Sequence, residues 1–156
     1  AGISRTLLYR TFKGKEDIFT AVFSHWLIAR HPDAHAAVRG KGNVLERLLE
    51  LCRVMVVEPW ADIVGAPMAG EFELVCERID PSITKLHNQV FLDCVVELLD
   101  DVSLSQVFLL ALEGQVSDQP TAPLLEDRIR ILAGRFVTPA AKTDEGGKLE
   151  QYPGHG

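Results

Sequence analysis

The chain has 156 residues, of which 47% are hydrophobic and 24% are charged, and its formal net charge is −6. A chain of this length can bury a core without metals or disulfides. Its acidity excludes a protein that binds nucleic acid over its whole surface. No apolar run approaches the ~20 residues that span a bilayer, so no membrane association is expected. The three cysteines are scattered without CxxC spacing, which indicates the reducing cytoplasm.

The charge is distributed unevenly along the chain. Residues 1–30 contain five basic and two acidic side chains, so the remaining residues carry all of the excess negative charge. A basic end on an acidic body is expected where only that end contacts phosphate.

The first predicted element is a short helix that opens at Ser4, after a turn at Gly2. Glycine adopts the positive φ of a tight turn, and serine is a strong helix N-cap. Leu8 and Phe12 are apolar and share one side of this helix. The other side offers polar, basic and aromatic side chains, namely Arg5, Thr6, Tyr9 and Arg10. A turn followed by a short basic helix is typical of the second half of a helix-turn-helix.

Residues 1–19 resemble the DNA-binding signature of the TetR family of bacterial transcriptional regulators. Beyond residue 30 the resemblance is one of helix order, and Leu7 departs from the threonine or alanine of many members. The family's first helix and most of its second would precede Ala1, so operator binding is expected to be weakened without them. The matching positions are Ala1, Gly2, Ile3, Ser4, Leu8, Tyr9, Phe12, Lys15, Glu16, Ile18 and Phe19.

The resemblance implies a set of DNA-contacting residues around Ser4. It assigns Arg5 and Thr6 to base edges or flanking phosphates in the major groove, and Tyr9 and Lys15 to phosphates. Lys13 is expected to add a weaker electrostatic contribution. Without the resemblance, the same side chains would be interpreted as an ordinary solvated helix face.

Helical periodicity dominates the next part of the chain, and no strand or hairpin pattern is present. A linking helix is predicted over 15–30. His31 and His35 flank a proline, and a solvated interhelical loop is favoured over a metal site because partner ligands are lacking. Asn43 is a good N-cap for a helix over 44–57.

Proline and capping residues mark the later helices. Pro59 is expected to end the helix over 44–57, with a short helical turn after it, and Pro81 to open a long helix that follows one over 66–79. Ser103 is expected to cap a helix over 103–116, and Pro123 to open the last helix, which ends near Phe136. Residues 138–156 are interpreted as a disordered tail.

The helices over 44–57, 66–79 and 82–99 carry aromatic and sulfur side chains on their apolar faces. They are predicted to bound a pocket for a small apolar effector, with His87 as its polar, hydrogen-bonding residue. The alternative is that these residues only form a core, and His87 in particular fits a satisfied core histidine. The candidate pocket residues are Met55, Trp60, Phe72, His87, Phe91 and Cys94.

The helix over 103–116 is apolar around nearly its whole circumference, so it must be covered on all sides. It is either a central helix of its own core or shared with a second subunit. The resemblance favours the second interpretation, a four-helix interface in a homodimer. The candidate interface residues are Leu104, Phe108, Leu109, Leu112, Leu125, Ile129 and Leu132.

These patterns predict an all-α, TetR-like helical bundle. Residues 1–30 form part of a helix-turn-helix domain, residues 31–137 the effector-binding and dimerisation domain, and residues 138–156 the tail. The expected function is a repressor that binds double-stranded operator DNA and is released by a small apolar effector, without metal or cofactor. The alternative is a helical dimeric module that binds a ligand or partner but not DNA. No enzyme signature is present.

Overall fold

The computed structural model describes residues 15–65 and 80–137, and within these ranges the chain is all-α, as predicted. None of the helices in the described ranges is long and apolar enough to cross a membrane. The elements are α1 (Lys15–Ile28), α2 (His31–Arg39), α3 (Val44–Cys52), a π-helical segment (Arg53–Val57), α4 (Glu58–Val64), α5 (Pro81–Leu99), α6 (Val102–Gly114) and α7 (Ala122–Phe136).

Several predictions fall outside the described residues. They are the recognition helix, the helix over 66–79 and the tail over 138–156. Among the candidate site residues, the same holds for Ser4, Arg5, Thr6, Tyr9, Lys13 and Phe72. Lys15 is the first residue of α1.

The core is built around α3, which packs against α2, α5 and α7. Its buried residues are Leu48, Leu51 and Cys52, at the three- and four-residue steps that define one face of a helix. Burial of each leucine contributes roughly 1.5–3 kcal/mol. The core continues into α6 and α7, where Phe108 and Phe136 meet edge to face with their ring centroids 5.2 Å apart.

Helix starts follow the predicted capping chemistry in part. The Asn43 side chain accepts a hydrogen bond from the Glu46 amide, and the Glu46 carboxylate accepts one from the Asn43 amide, each at 2.9 Å. The prediction for Ser103 is wrong: α6 begins one residue earlier, and the Asp101 carboxylate accepts from the Leu104 amide at 2.8 Å. Aspartate is as strong an N-cap as serine, and it comes first along the chain.

The loop predicted at residues 31–35 is instead the start of α2. Pro32 lies in the first helical turn, where the missing amide hydrogen would have no partner in any case. Ala34, Ala37 and Val38 form the buried face of α2 at three- and four-residue spacing. Because this face packs on α3 and α5, tertiary contacts stabilise a segment whose own helical signal is weak.

Pro59 does not end the helical path, contrary to the sequence prediction. The backbone widens into the π-helical segment, where the Glu58 amide bonds to the Arg53 carbonyl five residues back, and Pro59 then falls in the first turn of α4. The first turn tolerates proline because its amides need no helical partner. The Arg53 guanidinium pairs with Glu50 on α3 and Glu58 on α4, which bridges the π-helical segment.

Candidate ligand-binding groove

A groove of about 670 Å³ lies between the π-helical segment, α5 and α6. Its size falls within the range of about 300–1,000 Å³ for small-molecule sites, and most of its lining side chains are apolar. The described lining residues are Met55, Val56, His87, Asn88, Phe91, Leu92, Gln106, Leu109, Leu110, Leu112, Glu113 and Val116.

Local structure explains why the groove lies here. Met55 and Val56 come from the π-helical segment, and such single-turn insertions are frequent at functional sites because they displace side chains from the regular helical register. His87, Asn88 and Phe91 line the opposite side at one-turn spacing on α5.

Three of the predicted pocket residues, Met55, His87 and Phe91, line this groove. Trp60 lies elsewhere: its indole nitrogen donates to the Pro120 carbonyl oxygen at 2.7 Å. Cys94 is buried in the core, with its sulfur 3.7 Å from Nδ1 of His35. These two assignments are corrected because the sequence pattern places a residue on an apolar face without distinguishing the core from a groove.

Burial holds the two described thiols in their protonated form. It raises the pKa of Cys52 to about 12, and burial together with Glu97 and Asp93 raises that of Cys94 to about 11. A thiolate is the nucleophilic and metal-binding form of cysteine, so neither side chain is suited to covalent chemistry at neutral pH. The described residues also contain no group of three or more potential metal ligands.

His87 joins the groove to the start of α2. Its Nδ1 atom lies 3.1 Å from Nε2 of His31, and one of these nitrogens donates a hydrogen bond to the other. Burial, and then the charges of His31 and Arg30, lower the pKa of His87 to about 4. Burial and His35 lower the pKa of His31 as well. Both imidazoles are therefore neutral at pH 7. The sequence pattern does not reveal the contact between them.

Arg30 occupies the junction between α1 and α2. Its guanidinium carbon lies 4.3 Å from the centroid of the Trp26 ring, and its terminal nitrogen lies 3.1 Å from the Asp62 carboxylate. The cation–π contact contributes roughly 0.5–2 kcal/mol, depending on how completely water is excluded. Arg30 thus connects α1, α2 and α4 beside the histidine pair.

The charge of the groove restricts what it can bind. Glu113 is the only charged residue among the described lining residues, and His87 is neutral. Asn88 and Gln106 add amide groups that both donate and accept hydrogen bonds. The groove therefore favours an apolar molecule that is neutral or positively charged over an anionic one.

Four of the predicted dimer residues, Phe108, Leu112, Leu125 and Ile129, are buried within this one chain. Leu109 and Leu112 also line the groove. Only Leu104, Leu109 and Leu132 retain appreciable exposure. The inward face of α6 is therefore covered by the core of its own chain.

Several apolar side chains are exposed on α6 and α7, and Leu104 is the one predicted interface residue among them. We call this set the apolar surface: it consists of Leu104, Val107 and Leu110 on α6, and Leu124 and Ile131 on α7. The exposed fraction reaches 68% for both Leu110 and Ile131. Spacings of three and seven residues place each set along one face of its helix. A row of exposed apolar residues along one helix face is typical of a contact site.

Comparison with known proteins adds no relative. No family model matches the chain, and neither a curated protein nor a solved structure matches it.

Proposed function

We propose that this chain is a DNA-binding transcriptional regulator of the TetR type, a homodimer that leaves its operator when a small apolar molecule binds. The observation that carries the proposal is the register of residues 1–19 with the family's DNA-binding signature, at eleven of nineteen positions. The concentration of basic residues in the same part of the chain supports it, because phosphate contacts dominate affinity for DNA.

The described helices support the effector and dimer parts of the proposal. The groove provides an apolar site of suitable size, and the apolar surface provides a face for a second copy. Two recognition helices in a dimer must match half-sites ~34–36 Å apart or a multiple of that spacing. A ligand that changes this separation would lower DNA affinity, typically by roughly 5–150-fold.

Selection of bound duplexes from a randomised pool tests the DNA-binding proposal. We expect enrichment of two related half-sites, with Arg5→Ala relaxing the preference at one position per half-site. Lys15→Ala should weaken binding to all sequences and reduce the salt slope by about 0.9. Arg130→Ala is the matched control, because Arg130 is an exposed arginine on α7.

A second candidate function is a dimeric module that binds a ligand or partner but no DNA. The groove and the apolar surface favour it, because neither depends on residues 1–14. The DNA-binding proposal fails if a folded chain that also carries the helices implied before Ala1 enriches no sequence, or if Arg5→Ala in that chain behaves like Arg130→Ala.

Three probes that share an alkyl chain and differ in the charge of the head group test the groove directly. Thermal unfolding is measured with decylammonium, decanol and decanoate, and the first two are expected to raise the melting temperature more than decanoate. Saturation at ~100 times Kd adds about 2.7 kcal/mol to the free energy of unfolding. Glu113→Gln should reduce the preference for the ammonium, whereas Glu126→Gln, an exposed residue on α7, should not. Equal shifts of the melting temperature for all three probes would contradict the preference of the groove for neutral or positively charged molecules.

A further inference from the structure

We propose that His31 and His87 form a proton-operated latch, which holds the α1–α2 junction against the groove wall on α5 and opens when both imidazoles are protonated. The latch is a property of the folded chain, and it requires neither DNA nor a groove ligand.

The geometry places the two rings across a helix-to-helix contact. His31 lies in the first turn of α2 with only 9% of its surface exposed, and His87 is half-buried on α5. Their ring centroids are 5.3 Å apart, and the joining nitrogens are 3.1 Å apart. A contact between residues 56 positions apart in sequence forms only when α2 and α5 are packed.

Proton counting determines when the contact breaks. Two neutral imidazoles form one hydrogen bond, because one ring nitrogen carries a proton and the other offers a lone pair. A first additional proton preserves this bond, since an imidazolium still donates to a neutral ring. A second proton leaves two donors facing each other, so no hydrogen bond remains. The pair therefore titrates as one unit in two steps.

Among the described residues, the positive charges nearest the pair oppose protonation, and the nearby carboxylates are Asp62 and Glu113. Arg30 is positively charged beside it, and His35 lies one turn further along α2. Asp62 on α4 is paired with Arg30, and Glu113 on α6 lines the same groove as His87. The side chains that the π-helical segment contributes to that groove are uncharged, and no residue of α3 lines the groove. Two imidazolium ions next to Arg30 would thus repel one another and the guanidinium.

Trp26 is a built-in reporter of this junction, because its ring stacks on Arg30 next to His31. Trp60→Phe removes the only other tryptophan signal in the chain. In this background, Trp26 emission and far-UV helicity are followed from neutral to acidic pH. We expect Trp26 emission to change with uptake of two protons at a pH where helicity is still retained.

Three variants separate the latch from general acid effects. His31→Gln and His87→Gln keep a hydrogen-bonding side chain that does not titrate. The remaining imidazolium can still donate to the glutamine oxygen, so each variant should lose the two-proton change in Trp26 emission. His25→Gln is the matched control, because His25 is exposed on α1. The proposal is overturned if His31→Gln and His87→Gln titrate like the parent, or if helicity is lost together with the Trp26 change.

Imidazole nitrogen chemical shifts in the parent chain provide an independent test if a variant fails to fold. Both rings should remain neutral at pH 7 and then titrate in two coupled steps. Two independent single-site titrations would contradict the latch.

Discussion

The indole nitrogen of Trp60 donates a hydrogen bond to the carbonyl oxygen of Pro120, 2.7 Å away and 60 residues further along the chain. Trp60 lies on α4, whereas Pro120 lies in the connection that leads into α7. This bond gives the carbonyl group of the buried Pro120 a hydrogen-bond donor and links α4 to the α6–α7 connection.

Replacing Trp60 by Phe should lower the free energy of unfolding by about 1–2 kcal/mol. The aromatic packing is largely retained, but the Pro120 carbonyl loses its donor, and a buried polar group without a partner is costly. Urea denaturation measures the change. Lys85→Ala, at an exposed position on α5, should alter stability by less than about 0.5 kcal/mol, and an equal loss in both variants would contradict the role of the bond.

Asp101→Ala should destabilise the chain by about 1 kcal/mol, because it removes the acceptor for the Leu104 amide at the start of α6. Ser103→Ala lies within α6 and should have a much smaller effect. Chemical denaturation of both variants checks this order. The reverse order would restore Ser103 as the helix cap.

Phe108→Ala should cost about 3–5 kcal/mol of stability, because Phe108 is fully buried in the core of the single chain. The neighbouring Val107 is 55% exposed, so Val107→Ala should cost far less at a concentration where the chain is monomeric. Thermal or urea unfolding distinguishes the two. Similar costs would contradict the inward orientation of Phe108.

Val107→Glu and Ile131→Glu should reduce self-association without unfolding the chain. Both side chains belong to the apolar surface, and a carboxylate introduced there would be buried without a partner in a dimer. Sedimentation or light scattering at micromolar concentration measures the mass. Leu86→Glu is the control, because Leu86 is exposed on α5 outside the apolar surface. A parent chain that remains monomeric in this range would refute the dimer.

The stability of the chain should fall as the pH is lowered from about 6.5 towards 4. The folded state holds the pKa of His87 at about 4, below its ordinary value of 6.5, so the unfolded chain binds more protons in this interval. Partial exposure of the ring limits the loss from His87 to roughly 1–3 kcal/mol. His87→Gln should flatten the pH dependence of the urea midpoint between pH 6.5 and 4. If the midpoint of this variant changes with pH as steeply as that of the parent chain, the loss of stability does not come from His87.

Local chemistry accounts for what the sequence predicted well. The Asn43 cap, the helix that starts at Pro81 and the last helix ending at Phe136 all depend on residues within one or two turns of one another. The all-α class follows from the same short-range periodicity. Met55, His87 and Phe91, which the sequence places on apolar helix faces, line the groove.

Packing between distant segments decided the rest. An all-round apolar helix does not indicate which face turns inward, so only the tertiary structure buries Phe108 and exposes Val107 and Leu110. The helix at His31 forms because its buried alanines and valine pack on α3 and α5. Likewise, the hydrogen bond between His31 and His87 spans 56 residues, and no short-range pattern encodes a contact that depends on how two helices meet.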